Sequence, residues 1–153
     1  MNILLVVALE EELPNPPKNT TVVYTGVGKV QAATRLAQAL CKSTKPDLIV
    51  NYGTAGGLNP MVKGMREIGT FVQRDMMAMP MVDRGVVPFS DPILSDIGTA
   101  SPVMQLRCGT GDSFVMGPDK WFVEADIDCV DMEGYALAYV AQEYNIPFRS
   151  FKY

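Results

Sequence analysis

Three consecutive glutamates, Glu10-Glu11-Glu12, follow directly on the apolar run Ile3-Leu4-Leu5-Val6-Val7-Ala8-Leu9, so a buried strand is expected to deliver carboxylates to the edge of a sheet. The chain contains no histidine, which makes carboxylates the first candidates for acid–base work near neutral pH. The competing reading is a solvated acidic helix start, where negative charge offsets the helix dipole. Asp131-Met132-Glu133 is a second acidic site, with two carboxylates around an apolar residue at a helix start. Such a pair is able to accept hydrogen bonds from vicinal hydroxyls of a ribose, or simply to cap the helix. Gly111-Asp112-Ser113-Phe114 would set an aromatic face beside a planar base, the alternative being a core phenylalanine.

Two glycine-containing loops add places where backbone approaches a ligand closely. Gly26-Val27-Gly28-Lys29 is not a Walker loop, because Val23 stands where glycine is needed and Val30 where Ser or Thr is needed. A dinucleotide fingerprint starting at Gly26 fails at Gln31. What remains is either a ligand-approaching turn before a helix or a tight strand-to-helix connection. Gly53-Thr54-Ala55-Gly56-Gly57 offers one hydroxyl and no cation nearby in sequence, suited to a sugar, a water or an anion.

The elements that must position these groups alternate. After the first strand and the connection Pro14-Asn15-Pro16-Pro17, a β-prone run spans Thr20 to Tyr24. Ala33, Leu36, Ala37 and Leu40 then fall on one helical face, and the helix is expected to stop near Ser43-Thr44-Lys45-Pro46. Strands are expected at Asp47 to Tyr52, Ile68 to Val72, Val103 to Cys108, Ile127 to Val130 and Phe148 to Tyr153. Ala136, Leu137, Val140, Ala141 and Tyr144 mark an amphipathic helix, and Met76 to Ser101 reads mostly as loop. Strands separated by helices of this length imply a parallel α/β sheet.

Composition narrows the function classes. At 153 residues and 48% hydrophobic the chain suits one compact core, so a single domain over 1–153 is expected. A net charge of -4 without a basic stripe argues against nucleic acid. The opening apolar run is too short to span a bilayer and lacks a positive leader, so no membrane partner and a cytoplasmic location are expected. Cys41, Cys108 and Cys129 have no CxxC spacing, which argues against disulfides and a zinc site and for buried thiols. The cluster Met76, Met77, Met79 and Met81 either lines an adaptable apolar surface or, more commonly, fills a core.

Taken in order, five segments resemble the bacterial 5′-methylthioadenosine/S-adenosylhomocysteine nucleosidases of the purine nucleoside phosphorylase superfamily. They are Ala8 to Glu12, Thr25 to Val30, Asn51 to Leu58, Gly111 to Val115 and Val130 to Gly134. The resemblance runs from residue 1 to Tyr153, with a shortened middle around Pro92 to Pro102. It implies a three-layer α/β/α fold around a central mixed, largely parallel sheet, and hydrolysis of an adenine nucleoside through a ribosyl cation-like transition state, with no cofactor.

By that resemblance Glu12 is the general base that activates water, Glu133 binds a ribose hydroxyl, Met132 packs beneath the sugar and Thr54 holds water or ribose. Phe114 stacks on adenine and the Val115 backbone reads the base edge. A homodimer is implied, with Met76 to Phe89 placed to serve the 5′ pocket. The family's general-acid aspartate lies just beyond the strand corresponding to Phe148 to Lys152, and Lys152 stands where the family carries arginine. The chain is therefore expected to be a fragment lacking the final helix. The alternatives are a phosphate-dependent purine nucleoside phosphorylase and a catalytically impaired nucleoside-binding module.

Overall fold

The computed structural model describes residues 1–90, 96–102 and 106–153. Strands β1 (Ile3–Val7), β2 (Thr21–Tyr24) and β3 (Leu48–Gly53) are short runs rich in β-branched and apolar residues, β1 and β3 well buried and β2 a half-exposed edge strand. β2 and β3 flank β1, both parallel to it. β9 (Phe148–Lys152) lies parallel to β3 and antiparallel to β5 (Arg66–Gln73). β5 leads on to β7 (Leu106–Thr110) and β8 (Cys129–Asp131), all three parallel. Two small antiparallel additions complete the sheet, β4 (Gly56–Gly57) on β8 and β6 (Asp96–Gly98) on β5. The result is the mixed, mostly parallel α/β sheet that the strand–helix alternation implies.

Two helices cover one face. In α1 (Lys29–Lys42) the buried positions Ala32, Leu36 and Leu40 repeat every four residues, which puts them on one stripe facing the core. α3 (Gly134–Glu143) is buried nearly all round, because it packs against both α1 and the sheet strands. Its start fits only glycine: a Cβ on Gly134 would lie 2.1 Å from Phe71 Cε1 and 2.5 Å from Asp131 Oδ2. The opposite face carries the five-residue helix α2 (Lys120–Glu124), whose Phe122 packs with Val72 and Ile127. Phe71 and Val72, adjacent in β5, thus feed the two separate apolar clusters, as strand alternation requires.

Several polar groups buried in this core are paired, although the Tyr135 hydroxyl has no partner among the described residues. Asn51 of β3 donates from Nδ2 to the Val6 carbonyl at 3.1 Å and accepts from Ser150 Oγ at 2.8 Å, linking β1, β3 and β9. Lys152 at the end of β9 meets Asp131 at the end of β8, Nζ to Oδ2 at 3.0 Å, with both side chains almost fully buried. Burial opposes the charge on Lys152, but the Asp131 carboxylate beside it prevails and holds the ammonium above its ordinary pKa. Asp131 also accepts from Thr110 Oγ1 at 2.6 Å and from the Gly134 backbone at 2.9 Å.

Several expectations need correction. The Gly53 to Gly57 stretch is not all loop, since Gly53 ends β3 and Gly56–Gly57 form β4. α2 has no counterpart in the sequence reading; its five residues are too few for a periodicity to register. β6 falls inside the segment read as mostly loop, where three residues pairing with β5 suffice. Of the strand expected at Val103 to Cys108, residues 103–105 lie outside the described residues, as do 92–95 of the shortened middle. Cys108 and Cys129 are buried but Cys41 is exposed. Met77, Met79 and Met81 do not fill the core; each is well exposed.

Replacing Lys152 by methionine should leave Asp131 buried without a counter-charge, lowering stability by about 3–5 kcal/mol. Adding Asp131→Asn to that variant should recover more than half of the loss, both read from urea midpoints at constant slope.

Candidate active site

The loops that follow β1, β2, β3, β5, β7 and β8 line one cleft of about 470 Å3. All six leave the C-terminal ends of their strands, where open α/β sheets bind ligands, and the volume suits a small organic molecule. Ala8, Leu9 and Glu12 come from the first of these loops, Val27 from the second, Thr54 to Gly56 from the third. Arg74 follows β5, Ser113 to Val115 follow β7, and Asp131 ends β8 with Met132 and Glu133 following it. The sequence candidates Glu12, Thr54, Phe114, Val115, Met132 and Glu133 are therefore brought together.

Glu10–Glu12 form one 3-10 turn, with Glu10 and Glu11 exposed and Glu12 turned inward. The Glu12 N–H donates to the Leu9 carbonyl at 3.1 Å, and its carboxylate reaches back to the Leu9 N–H at 3.2 Å. The other carboxylate oxygen accepts from the Thr54 N–H at 2.8 Å and the Thr54 hydroxyl at 2.7 Å. Thr54 thus holds Glu12 at the cleft wall through its hydroxyl. The helix-start and chemical readings of these glutamates are compatible: the first two are solvated and the third is held.

Glu133 precedes α3 and is buried, and its Oε1 accepts from the Gly28 N–H at 2.9 Å. Gly28 has φ 93°, a backbone conformation that side-chain-bearing residues rarely take, and this turns its N–H onto the carboxylate. Burial pushes the Glu133 carboxyl above the usual glutamate range, against the opposing Gly28 hydrogen bond, with the negative charges of Asp131 and Glu12 adding to the rise. The two carboxylates of Asp131-Met132-Glu133 do not act as a pair. Asp131 is committed to Lys152, Thr110 and Gly134, which leaves Glu133 facing the cleft.

Phe114 is 81% exposed, so the core alternative fails and its ring stands at the cleft mouth. Val115 is half-buried against the cluster of Val72, Phe122 and Ile127. The loop carrying both is held from below by two consecutive residues that the sequence reading passed over. Arg74 donates from one guanidinium nitrogen to Ser113 Oγ at 3.1 Å, and from the other to the carbonyls of Gly111, at 3.0 Å, and Ser113. Asp75 accepts from the Asp112 N–H at 2.9 Å and pairs with Lys29 Nζ at 2.5 Å. Asp112 in turn accepts from the Lys29 N–H at 2.8 Å. The signal for this clamp was available: Arg74-Asp75 puts charge directly after an apolar strand, as Glu10 to Glu12 do.

Among the described residues that line the cleft, Arg74 is the only cation. Its two terminal nitrogens are spent on the loop and its Nε is buried without a partner among the described residues, and the Lys29 ammonium is turned away to Asp75 and Gln73.

The chain matches the sequence model of the Phosphorylase superfamily over residues 17–153. It is 32% identical over 155 residues to a 5′-methylthioadenosine/S-adenosylhomocysteine nucleosidase of Haemophilus influenzae, and 29% identical over 154 residues to one of Shewanella loihica. Each alignment covers 86% of this chain and 65% of the relative, so the chain spans about two-thirds of their length. Among solved structures it resembles a Helicobacter pylori nucleosidase variant with 5′-methylthioadenosine in its active site, at TM-score 0.82 and 18% identity, covering 99% of this chain and 83% of that one. The native futalosine hydrolase of Helicobacter pylori gives TM-score 0.83 at 19% identity, covering 98% and 82%. At these identities the structural likeness speaks for the fold, and the sequence match over nine-tenths of the chain speaks for descent: the chain belongs to the phosphorylase superfamily.

Proposed function

We propose that the protein hydrolyses the N-glycosidic bond of an adenine nucleoside of the 5′-methylthioadenosine/S-adenosylhomocysteine type, releasing adenine. The observation that carries this reading is the charge distribution of the cleft. Glu12 and Glu133 face it, while neither nearby cation is free to hold a phosphate nucleophile. Phosphorolysis needs cationic groups on the incoming phosphate, so water is the nucleophile that fits. The relatives named as nucleosidases support the same substrate class.

In this mechanism Glu12 takes a proton from the attacking water, its orientation kept by the two bonds from Thr54. Positive charge developing on the ribosyl ring is stabilised by the Glu133 carboxylate, which also accepts from a ribose hydroxyl. Met132 packs against the sugar. Phe114 stacks on the base and the Val115 backbone reads its edge. The electron pair of the C–N bond leaves with adenine, which takes its proton from solvent at the open cleft, because Glu12 and Glu133 serve the sugar side and Asp131 is neutralised by Lys152.

The same reading makes residues 1–153 one phosphorylase-like domain of a cytoplasmic homodimer acting in methionine salvage. Support for the dimer is the exposed apolar set Met77, Met79, Met81 and Phe89, within the segment placed to complete the 5′ pocket of the partner. Light scattering should return twice the monomer mass; a monomer would remove this part of the proposal.

Adenine should appear from 5′-methylthioadenosine without phosphate, and Glu12→Gln should slow its release by about 10²–10⁴-fold. Strict dependence on phosphate would defeat the hydrolase, and tight binding of the nucleoside without turnover would leave only a binding module. Because the Glu133 carboxyl titrates above the usual range, it loses its charge early as pH falls. The acid limb of kcat/KM should therefore begin above the ordinary glutamate range. In Glu133→Gln the rate should drop by about 10²-fold and the limb should move to lower pH.

A further inference from the structure

We infer that Arg74 is the positioning residue for base recognition: its guanidinium sets where the loop carrying Phe114 and Val115 stands over the cleft, without touching the reacting atoms. The kinetic part of this inference rests on the nucleosidase reading above.

The start of the loop is also held at Gly111 by the Asp131 carbonyl and at Asp112 by Asp75 and Lys29, but Ser113, next to Phe114, is bonded by Arg74. Asp112, Ser113 and Phe114 are exposed, and only Val115 is partly buried against the small apolar cluster. Burial therefore gives the loop weak purchase, and the place of its aromatic half depends most on the polar bonds that Arg74 makes from the end of β5. Arg74, itself 4% exposed, spends three donor contacts on Gly111 and Ser113. A planar guanidinium delivers these in one fixed fork, whereas a lysine would bring a single point charge to the same place. The fit beneath the loop is close: a Cβ on Gly111 would meet Arg74 Cζ at 2.8 Å and Nε at 3.0 Å.

Arg74 is braced in turn from outside the cleft. Its carbonyl accepts from Arg84 Nε at 2.6 Å, and Arg84 pairs with Asp119 at 2.6 Å while lying 4.3 Å over the Trp121 ring. Asp119 caps α2 through the Trp121 N–H at 3.0 Å. The aromatic loop is thus tied at its start by Arg74 and beyond its end by Arg84, with Phe114 at the unsupported middle. A base stacked on Phe114 would feel any loosening as weaker binding in ground and transition states alike, which appears in KM rather than kcat.

The test compares the full-length protein with Arg74→Lys, Ser113→Ala and Gly111→Ala, reading adenine release from 5′-methylthioadenosine and amide hydrogen exchange. Arg74→Lys should raise KM about tenfold with kcat within about threefold of the parent, and should speed exchange at residues 113–115 about tenfold while β1 and β3 keep their protection. Ser113→Ala, which removes one acceptor, should raise KM by about threefold. Gly111→Ala keeps Arg74 but displaces its guanidinium, and should raise KM as Arg74→Lys does; this decides the matter if the latter fails to fold. Unchanged KM and unchanged loop exchange would overturn the inference, as would a fall in kcat at constant KM. Should the parent release no adenine, the nucleosidase reading fails, while exchange at 113–115 still decides whether Arg74 holds the loop.

Discussion

The buried ion pair between Lys152 and Asp131 is the constraint on which the cleft depends. It joins the end of β9 to the end of β8 beneath the site, across the two strands that lie between them in the sheet. A charge pair removed from water is worth having only when its remaining lone pairs are satisfied, and here Thr110 and the Gly134 N–H complete Asp131. Those bonds fix the first residue of α3. Glu133, one residue earlier, is thereby set against the Gly28 N–H and toward the cleft. The glycine at 134 belongs to the same arrangement, since any side chain there would strike the Phe71 ring and the carboxylate that bonds it.

Around this anchor the cleft is organised by withdrawing charge as much as by offering it. Lys29 sits at the start of α1, close to the carboxylate-bearing loops, yet its ammonium is neutralised by Asp75. Arg74 lines the cleft but spends its terminal donors on backbone carbonyls and a serine. Lys152 is sealed behind Asp131. What faces the ligand space is then two carboxylates with different surroundings. Glu12 is half-buried and held by Thr54, while Glu133 is buried and pushed toward neutrality by desolvation. Two like groups separated by environment are how one cleft supplies distinct roles.

The fold was legible where periodicity carried it. β1, β3 and α1 read directly from apolar runs and a four-residue repeat, because those patterns are set by burial on a strand or on one helix stripe. α2, β4 and β6 were not, because five, two and three residues hold no period and form only where partners wait for them. In the site, Glu12, Thr54, Phe114, Met132 and Glu133 were visible as types at strand ends. Arg74 and Asp75 were not singled out, since their work is done on Gly111 to Ser113, nearly forty residues away in sequence.

The sequence by itself determined the alternation of strands and helices, the carboxylates available in a chain without histidine, and five ordered motifs that place it in its superfamily. Each is a local property of neighbouring residues. Only the tertiary structure decided which of three glutamates turns inward, which of Asp131 and Glu133 meets the cleft, and which cations are already spent. Those choices rest on partners far apart in the chain: Thr54 for Glu12, Lys152 for Asp131, Gly28 for Glu133 and Asp75 for Lys29. A side chain's charge is written in its residue type, but whether that charge is free is settled by what folding brings within 3 Å of it.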